Sequence, residues 1–270
     1  MAVLRMNRIR LVRLVAAVAA ASLSACATVP KDAGTNPRDP FERVNRNIYA
    51  FNDGFDRYLA KPVAQAYVWA VPRGIRLCIN SGFYNILEIR NAVNDLLQAK
   101  AAGAATDTGR LAINSTMGML GCFDVATRMG LERRSEDFGL TLARWGIDTG
   151  PYLMLPFLGP SDVRDGIGLV PDNFMNPLVY VSMQPIDRYA VTAVSLVDTR
   201  AELLDATKLI DQAALDRYQF TRDAYFQRRL SKQYEGNPPP PREDDESGES
   251  GPAPTGTSRI PVQPQPDQRR

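Results

Sequence analysis

A chain whose apolar residues recur every three or four positions folds most readily as helices that share one apolar face, and this sequence shows that spacing repeatedly. Phe41, Val44, Ile48, Phe51, Phe55 and Leu59 form one stripe, with Arg43, Arg46, Asn47, Asp53 and Arg57 on the opposite face. Asp39-Pro40-Phe41-Glu42 reads as the start of that helix, with an acid at the N-cap, proline at the first helical position and glutamate at the third. Lys61-Pro62 reads as its end. Asn85 with Glu88 predicts a second cap, followed by Ile86, Ile89, Val93, Leu96 and Leu97 on one stripe. Thr199 with Glu202 predicts a capping box opening a helix through Leu203, Leu204 and Leu209. A last helix is expected from about Asp211 to Leu230, with Leu215, Tyr218, Tyr225 and Phe226 on its apolar side. Core packing is the ordinary explanation of such stripes. No segment shows the sustained alternation of a sheet and no internal repeat is visible, so the expected class is all-α.

The two ends of the chain lie outside that pattern. Residues 1–25 carry Arg5, Arg8, Arg10 and Arg13 and then an apolar run from Leu14 to Ala25, the length of a signal-peptide core and too short to span a bilayer. Leu23-Ser24-Ala25-Cys26 resembles a lipobox, in which Cys26 takes the lipid and becomes the first residue. An ordinary secretory cut at Ala25-Cys26-Ala27 is the alternative. Ala27, in place of the aspartate associated with inner-membrane retention, directs the expectation to the inner leaflet of the outer membrane. Residues 26–38 read as a tether containing Pro30, Gly34 and Pro37, and 39–235 as the folded body. Residues 236–270 hold nine prolines and the acidic run Glu243-Asp244-Asp245-Glu246, and are expected to be disordered.

The formal charge of +2 reflects the signal segment, because without its four arginines the chain has 28 basic and 30 acidic side chains. That balance argues against nucleic acid, which needs a basic face. The sequence contains no histidine, which removes histidine-based nucleophilic sites and the commonest zinc and iron ligand sets. Its three cysteines cannot make an all-cysteine metal site. No metal or other cofactor is expected. Neither a nucleophile elbow nor a phosphate-binding loop occurs, so a serine hydrolase would need lysine or a carboxylate as base. Glu132, Glu136, Asp137, Asp162 and Asp165 are the candidate acids for glycoside hydrolysis, though solvated or capping roles are the commoner use of such residues. Arg164-Asp165 reads as a local ion pair or turn. Cys78 and Cys122 suit either a disulfide closing a long loop or two buried free thiols. The apolar segments Leu111 to Met119 and Gly150 to Pro160 suit either a buried core loop or a surface that sits in lipid.

The residues as a set resemble the VacJ/MlaA lipoprotein family. The resemblance rests on DPFERVNRNIYAFNDGFD at 39–56, KPVAQAY at 61–67, VNDLLQ at 93–98 and RLAINSTMGMLGCFDVA at 110–126, and continues with DFGLTLARWGIDTGPYLMLPFLGPSDVRD at 137–165, TRAELLD at 199–205 and RDAYFQR at 222–228. Their order behind a lipobox is what makes the set specific. The resemblance implies a ring of amphipathic helices with a Gly/Pro-rich apolar hairpin, embedded in the inner leaflet of the outer membrane around an amphipathic channel and bound to a trimeric porin. It also implies a non-enzymatic activity: removal of misplaced glycerophospholipid from the outer leaflet and its transfer to a soluble periplasmic carrier that feeds an inner-membrane ABC transporter. By the same resemblance Phe138 to Pro156 forms a flexible hairpin beside the channel, with Gly139, Gly146 and Gly150, next to Pro151, as pivots. Three features depart from the family pattern: Ile89 stands where it usually has proline, Cys78 and Cys122 are outside it, and so is the acidic tail. A lipid-anchored periplasmic hydrolase of lipid or peptidoglycan is the alternative from another class, and an envelope adaptor acting through its tail is a third.

Overall fold

The computed structural model describes residue 30 and residues 33–239; the signal segment, Cys26, most of the tether and most of the tail lie outside the described residues. The elements run α1 (Glu42–Phe55), a π-helical turn (Asp56–Ala60), α2 (Lys61–Ala70), α3 (Arg73–Leu97), α4 (Ala101–Thr116), α5 (Val125–Arg128) and α6 (Phe138–Arg144). They continue with β1 (Tyr152–Leu155), β2 (Gly159–Asp162), α7 (Val163–Phe174), a 3-10 turn (Pro177–Val179), α8 (Pro185–Glu202), α9 (Leu204–Ala213) and α10 (Arg217–Gln233). The fold is helical, as expected, with one addition. The Gly/Pro-rich segment forms a two-stranded antiparallel hairpin in which Tyr152 pairs with Asp162 and Leu155 with Gly159.

Several expected boundaries move, each for a local reason. The first helix does not stop at Lys61-Pro62. It widens into the π turn and continues as α2, with Pro62 in the first turn, where its missing N–H interrupts least. Asp39 caps nothing with its side chain; it is fully buried and accepts from Asn45 and from the Tyr218 hydroxyl at 2.6 Å. Asn85 and Glu88 lie in the middle of α3, not at its start. Thr199 is likewise inside α8, with its hydroxyl donating to the Ser195 carbonyl. The last helix begins at Arg217, capped by Asp216, whose carboxylate accepts from the Tyr218 and Gln219 amides.

The larger correction concerns what faces inward. The apolar stripes read as core are in good part on the surface: Phe41, Val44, Phe55 and Leu59 of the first stripe are exposed, as are Leu96, Leu97, Leu203, Leu209 and Leu215. Much of what is buried is polar: on α1 the buried positions are Glu42, Asn45 and Arg46, although Arg43 and Arg57 are exposed. On α3 the buried positions are Asn85, Glu88, Asn91, Asn94, Asp95 and on to Gln98, and on α4 they include Asp107, Arg110 and Asn114. A compact apolar cluster, Tyr152, Met154 and Tyr218 with Ile48, Tyr49, Tyr225 and Phe226 against it, lies where α1 and α10 meet the hairpin.

Candidate functional site

A polar interior is stable only if its groups satisfy one another, and here they do so along three lines. Arg110, fully buried on α4, donates to Glu88 of α3 at 2.7 Å, to the Thr127 hydroxyl at 2.9 Å and to Asp124. Against the cost of burial, hydrogen bonds from Thr127, Asn114 and Arg110 hold the Asp124 carboxyl well below the usual range. Gln98 joins α3 to α6 through Glu136 at 2.9 Å and the Thr141 hydroxyl at 3.2 Å. Arg229 of α10 donates to Asp137, the N-cap of α6, at 2.9 Å and to Asp165 of α7 at 2.6 Å. Tyr225 adds Asp162, the N-cap of α7, at 3.0 Å.

One buried pair lacks cationic compensation at its inner member. Asp107 is fully buried, and burial together with the neighbouring Glu88 and Asp95 charges raises its pKa to about 7. Neither Asp107 carboxyl oxygen finds a hydrogen-bond donor in the protein, so its surroundings favour the neutral, protonated form. Asp95 in turn is paired with Arg134.

The hairpin is held by two asparagines that serve as a third strand. Asn45 donates to the Tyr152 carbonyl at 3.0 Å and accepts from the Met154 amide at 2.9 Å. Asn52, two turns further along α1, donates to the Leu155 carbonyl at 2.9 Å and accepts from the Phe157 amide at 2.8 Å. Sequence reasoning missed both, although their spacing of seven on one helix face was a readable signal. The two accounts of the Gly150 to Pro160 segment each hold for part of it: Tyr152 and Met154 are buried, whereas Phe157 and Leu158 at the tip are exposed.

The proposed pivots have distinct surroundings. Gly139 lies inside α6, where a side chain would strike Asp165 and Arg229, and α7 approaches so closely at Gly168 that a Cβ there would be 2.7 Å from the Gly139 nitrogen. Its glycine is accounted for by that close approach. Gly146 has φ of +88° with open space around it, and Gly150, just before Pro151, has φ of +67°. Of the candidate acids, Glu132 is exposed and the others are committed to caps or ion pairs. The Arg164–Asp165 contact exists, at 3.4 Å, but Asp165 is paired more closely with Arg229. Among the described residues no three His, Cys, Asp or Glu side chains are placed to hold a metal ion.

Two apolar clefts flank α8. One, of about 530 Å³, is lined by Ile79, Phe83 and Ile86 of α3, by Met119 and Leu120, and by Val191 and Val194. The Cys78–Cys122 disulfide, one of the two readings left open by the sequence, forms part of its wall. The other cleft, of about 420 Å³, lies between α2 and α8 and is lined by Val63, Tyr67, Val71, Val194 and Val197 among others. Between them the Asp198 carboxylate, buried on α8, accepts from the Tyr67 hydroxyl at 2.9 Å and from Asn80 at 3.0 Å. Burial, reinforced by Asp198, raises the Tyr67 pKa to about 12, so its hydroxyl remains a donor at physiological pH.

Fold and site together define a class: a helical protein with an ion-paired interior, an apolar exterior and, among the described residues, no helix long and apolar enough to cross a membrane. The sequence model of the MlaA lipoprotein family matches residues 37–232, and the chain belongs to that family. An uncharacterized protein of Rickettsia typhi is 34% identical over 201 residues, covering 74% of this chain and 80% of its own. The intermembrane phospholipid transport system lipoprotein MlaA of Escherichia coli K12 is 34% identical over 195 residues, 70% of this chain and 76% of its own. Its namesake in Haemophilus influenzae is 30% identical over 230 residues, 83% and 90% respectively. A solved structure, described as the structural basis for maintenance of bacterial outer membrane lipid asymmetry, matches with a TM-score of 0.63 and 32% identity over 74% of this chain and 99% of that one.

Proposed function

We propose that this protein is an outer-membrane lipoprotein that takes misplaced glycerophospholipid out of the outer leaflet through an amphipathic passage and passes it to a soluble periplasmic carrier feeding an inner-membrane ABC transporter. The observation that carries the reading is the inverted burial: charged and amide side chains are packed inside, while Trp69, Leu120, Ile186 and Tyr189 stand at least 72% exposed. In water such a surface is unfavourable by about 25 cal/mol per Å² of apolar area; in acyl chains that penalty disappears. The family relationship supports the same role. Cys26, outside the described residues, supplies the lipid anchor in this reading. The protein sits against a trimeric porin, which covers part of the apolar surface, and Gly146 and Gly150 let the segment leading to the hairpin change direction. No covalent chemistry is needed, because lipid moves down its own gradient and the ATPase supplies the energy elsewhere.

Outer-leaflet phospholipid is measured in cells lacking the protein and in cells rescued by wild type or by Cys26→Ala. Accumulation reversed only by the lipidated form is expected; an unchanged surface overturns the reading.

One contact favours the hydrolase alternative. Burial and the nearby Arg228 lower the Lys232 pKa to about 8, and its ammonium donates to the Ser135 hydroxyl at 3.1 Å, a pairing able to activate a serine. Ser135 is exposed, outside both apolar clefts. Ser135→Ala is therefore expected to leave lipid clearance at the wild-type level, measured in the same strains; loss of clearance with normal protein level would favour a hydrolase.

A further inference from the structure

We propose that the two clefts flanking α8 are separate seats for the two acyl chains of one diacyl phospholipid, which straddles the helix at Val194. This inference rests on the transport reading and adds where the lipid is held.

At Val71-Pro72 the backbone leaves α2 and enters α3, so the two helices diverge from a common corner. The α8 helix packs against both. A helix lying on two others leaves a groove on each side, and those grooves are the two clefts. Both volumes, about 530 and about 420 Å³, fall within the roughly 300 to 1,000 Å³ of small-ligand sites. Both linings are predominantly apolar, with the disulfide sulfurs and Met119 in the larger, and Val194 belongs to both. One turn beyond Val194, Asp198 bonds Tyr67 of α2 and Asn80 of α3 and so joins all three helices. That polar contact keeps a chain in one groove from slipping beneath α8 into the other. Two apolar slots side by side, separated by one ridge and closed off from each other by a carboxylate, match a ligand with two apolar chains joined at one end. A single-chain amphiphile fills only half of this arrangement.

The larger seat has a fastened wall. Met119 and Leu120 have φ of +53° and +57° and are followed by Gly121 at +89°, an unusual run that turns both apolar side chains toward the cleft mouth. The turn is fixed to α3 twice, by the Cys78–Cys122 disulfide and by the approach of Gly121 to Asn85, where a Cβ would lie 2.6 Å from the asparagine side chain. The disulfide thus holds the outer wall of one seat and leaves the other untouched.

The full-length lipoprotein in nanodiscs of phosphatidylethanolamine and phosphatidylglycerol is photolabelled with a diacyl phosphatidylethanolamine carrying a diazirine on each acyl chain, and the labelled residues are mapped by mass spectrometry. Labels in both clefts are expected, as is weaker competition from single-chain lysophosphatidylethanolamine than from the diacyl lipid. Val194→Trp is expected to lower both labels by about tenfold, the loss that follows when roughly two methylenes are kept out of an apolar seat. Should that variant not fold, Val191→Trp and Val197→Trp each obstruct one cleft and are expected to remove the label from that cleft alone. The Cys78→Ser/Cys122→Ser double variant is expected to weaken labelling only in the larger seat. Labels confined to one cleft, labels wholly outside both, or labels indifferent to the tryptophan variants overturn the proposal. Failure of the transport reading is separable: labels outside the clefts with intact lipid clearance in cells overturn the seats alone, whereas no phospholipid accumulation in the deletion strain overturns transport whatever the labelling pattern.

Discussion

The α3–α4 pair and the α8 region are both helix packed on helix, yet they are built from opposite materials. Between α3 and α4 the contact is made by Glu88, Arg110 and their partners, groups that require a defined distance and direction. Around α8 it is made by valines, alanines and isoleucines, with the Asp198 contacts on one side. Apolar contact is non-directional, so helices joined by it tolerate sliding and parting; a buried ion pair does not, because separation leaves a charge uncompensated. The comparison assigns rigidity to the first region and adaptability to the second, which is the division a lipid-handling protein needs.

The strongest way to break this comparison is to remove one partner of the buried pair. Glu88→Ala removes the closest carboxylate from buried Arg110, leaving it only the longer Asp124 contact as a charged partner, and is expected to cost about 3 kcal/mol, read by chemical denaturation of the purified protein. A loss under about 1 kcal/mol, as for an exposed pair, would show that the α3–α4 interface is not the rigid element. Comparable in size is Asn45→Ala, which leaves the Tyr152 carbonyl, the Met154 amide and Asp39 each short of a partner. At about 1 kcal/mol per bond it is expected to cost about 3 kcal/mol, with the hairpin amides losing hydrogen-exchange protection first.

Asp107→Asn sharpens the comparison in the opposite direction. Because the folded-state pKa is raised to about 7, well above the usual carboxylate range, the unfolded chain loses this proton first as pH rises. Native stability at this site is therefore full below about pH 4 and declines toward pH 7. The variant is expected to flatten that slope and to be more stable at pH 8 by on the order of 2 kcal/mol; an unchanged pH profile would count against a protonated Asp107. The smallest effect is expected at Gly146, where positive φ and empty surroundings make Gly146→Ala cost about 1 kcal/mol through backbone strain alone. If this glycine is a pivot, lipid clearance falls in the variant while protein level and membrane location stay normal.

Much of the helical architecture was readable, because the three-to-four spacing survives whichever face is buried. What the spacing cannot say is which face that is. The rule for proteins in water places Phe41, Val44, Phe55 and Leu59 in the core, and the structure turns them outward. A signal was present in α3, where Asn85, Glu88, Asn91, Asp95 and Gln98 also recur every three or four residues. Two complementary stripes on one helix leave its orientation to the surroundings. The capping signatures at Asn85 and Thr199 misled for a related reason: the same residue types that cap helix ends also serve as buried bonding groups or back-bond within a helix. Of the proposed lipid-handling site, a hairpin was implied by the family resemblance for Phe138 to Pro156 and forms further on, at Tyr152 to Asp162; the α8 clefts were not readable, since they are made by residues more than 100 positions apart in the chain, such as Ile79 and Val191.

By itself the sequence determined that the folded body is helical, that histidine chemistry is absent, and which family the motifs resemble, and it raised the expectation of a lipidated N-terminus at Cys26. Each of these follows from local spacing or composition. Tertiary structure alone decided that polar faces turn inward, that Asp107 meets Asp95, that Cys78 meets Cys122, and that α8 creates two clefts where it crosses α2 and α3. The reason is physical: pairing energies and cavities belong to groups brought together across the chain, and they exist only once the helices have packed.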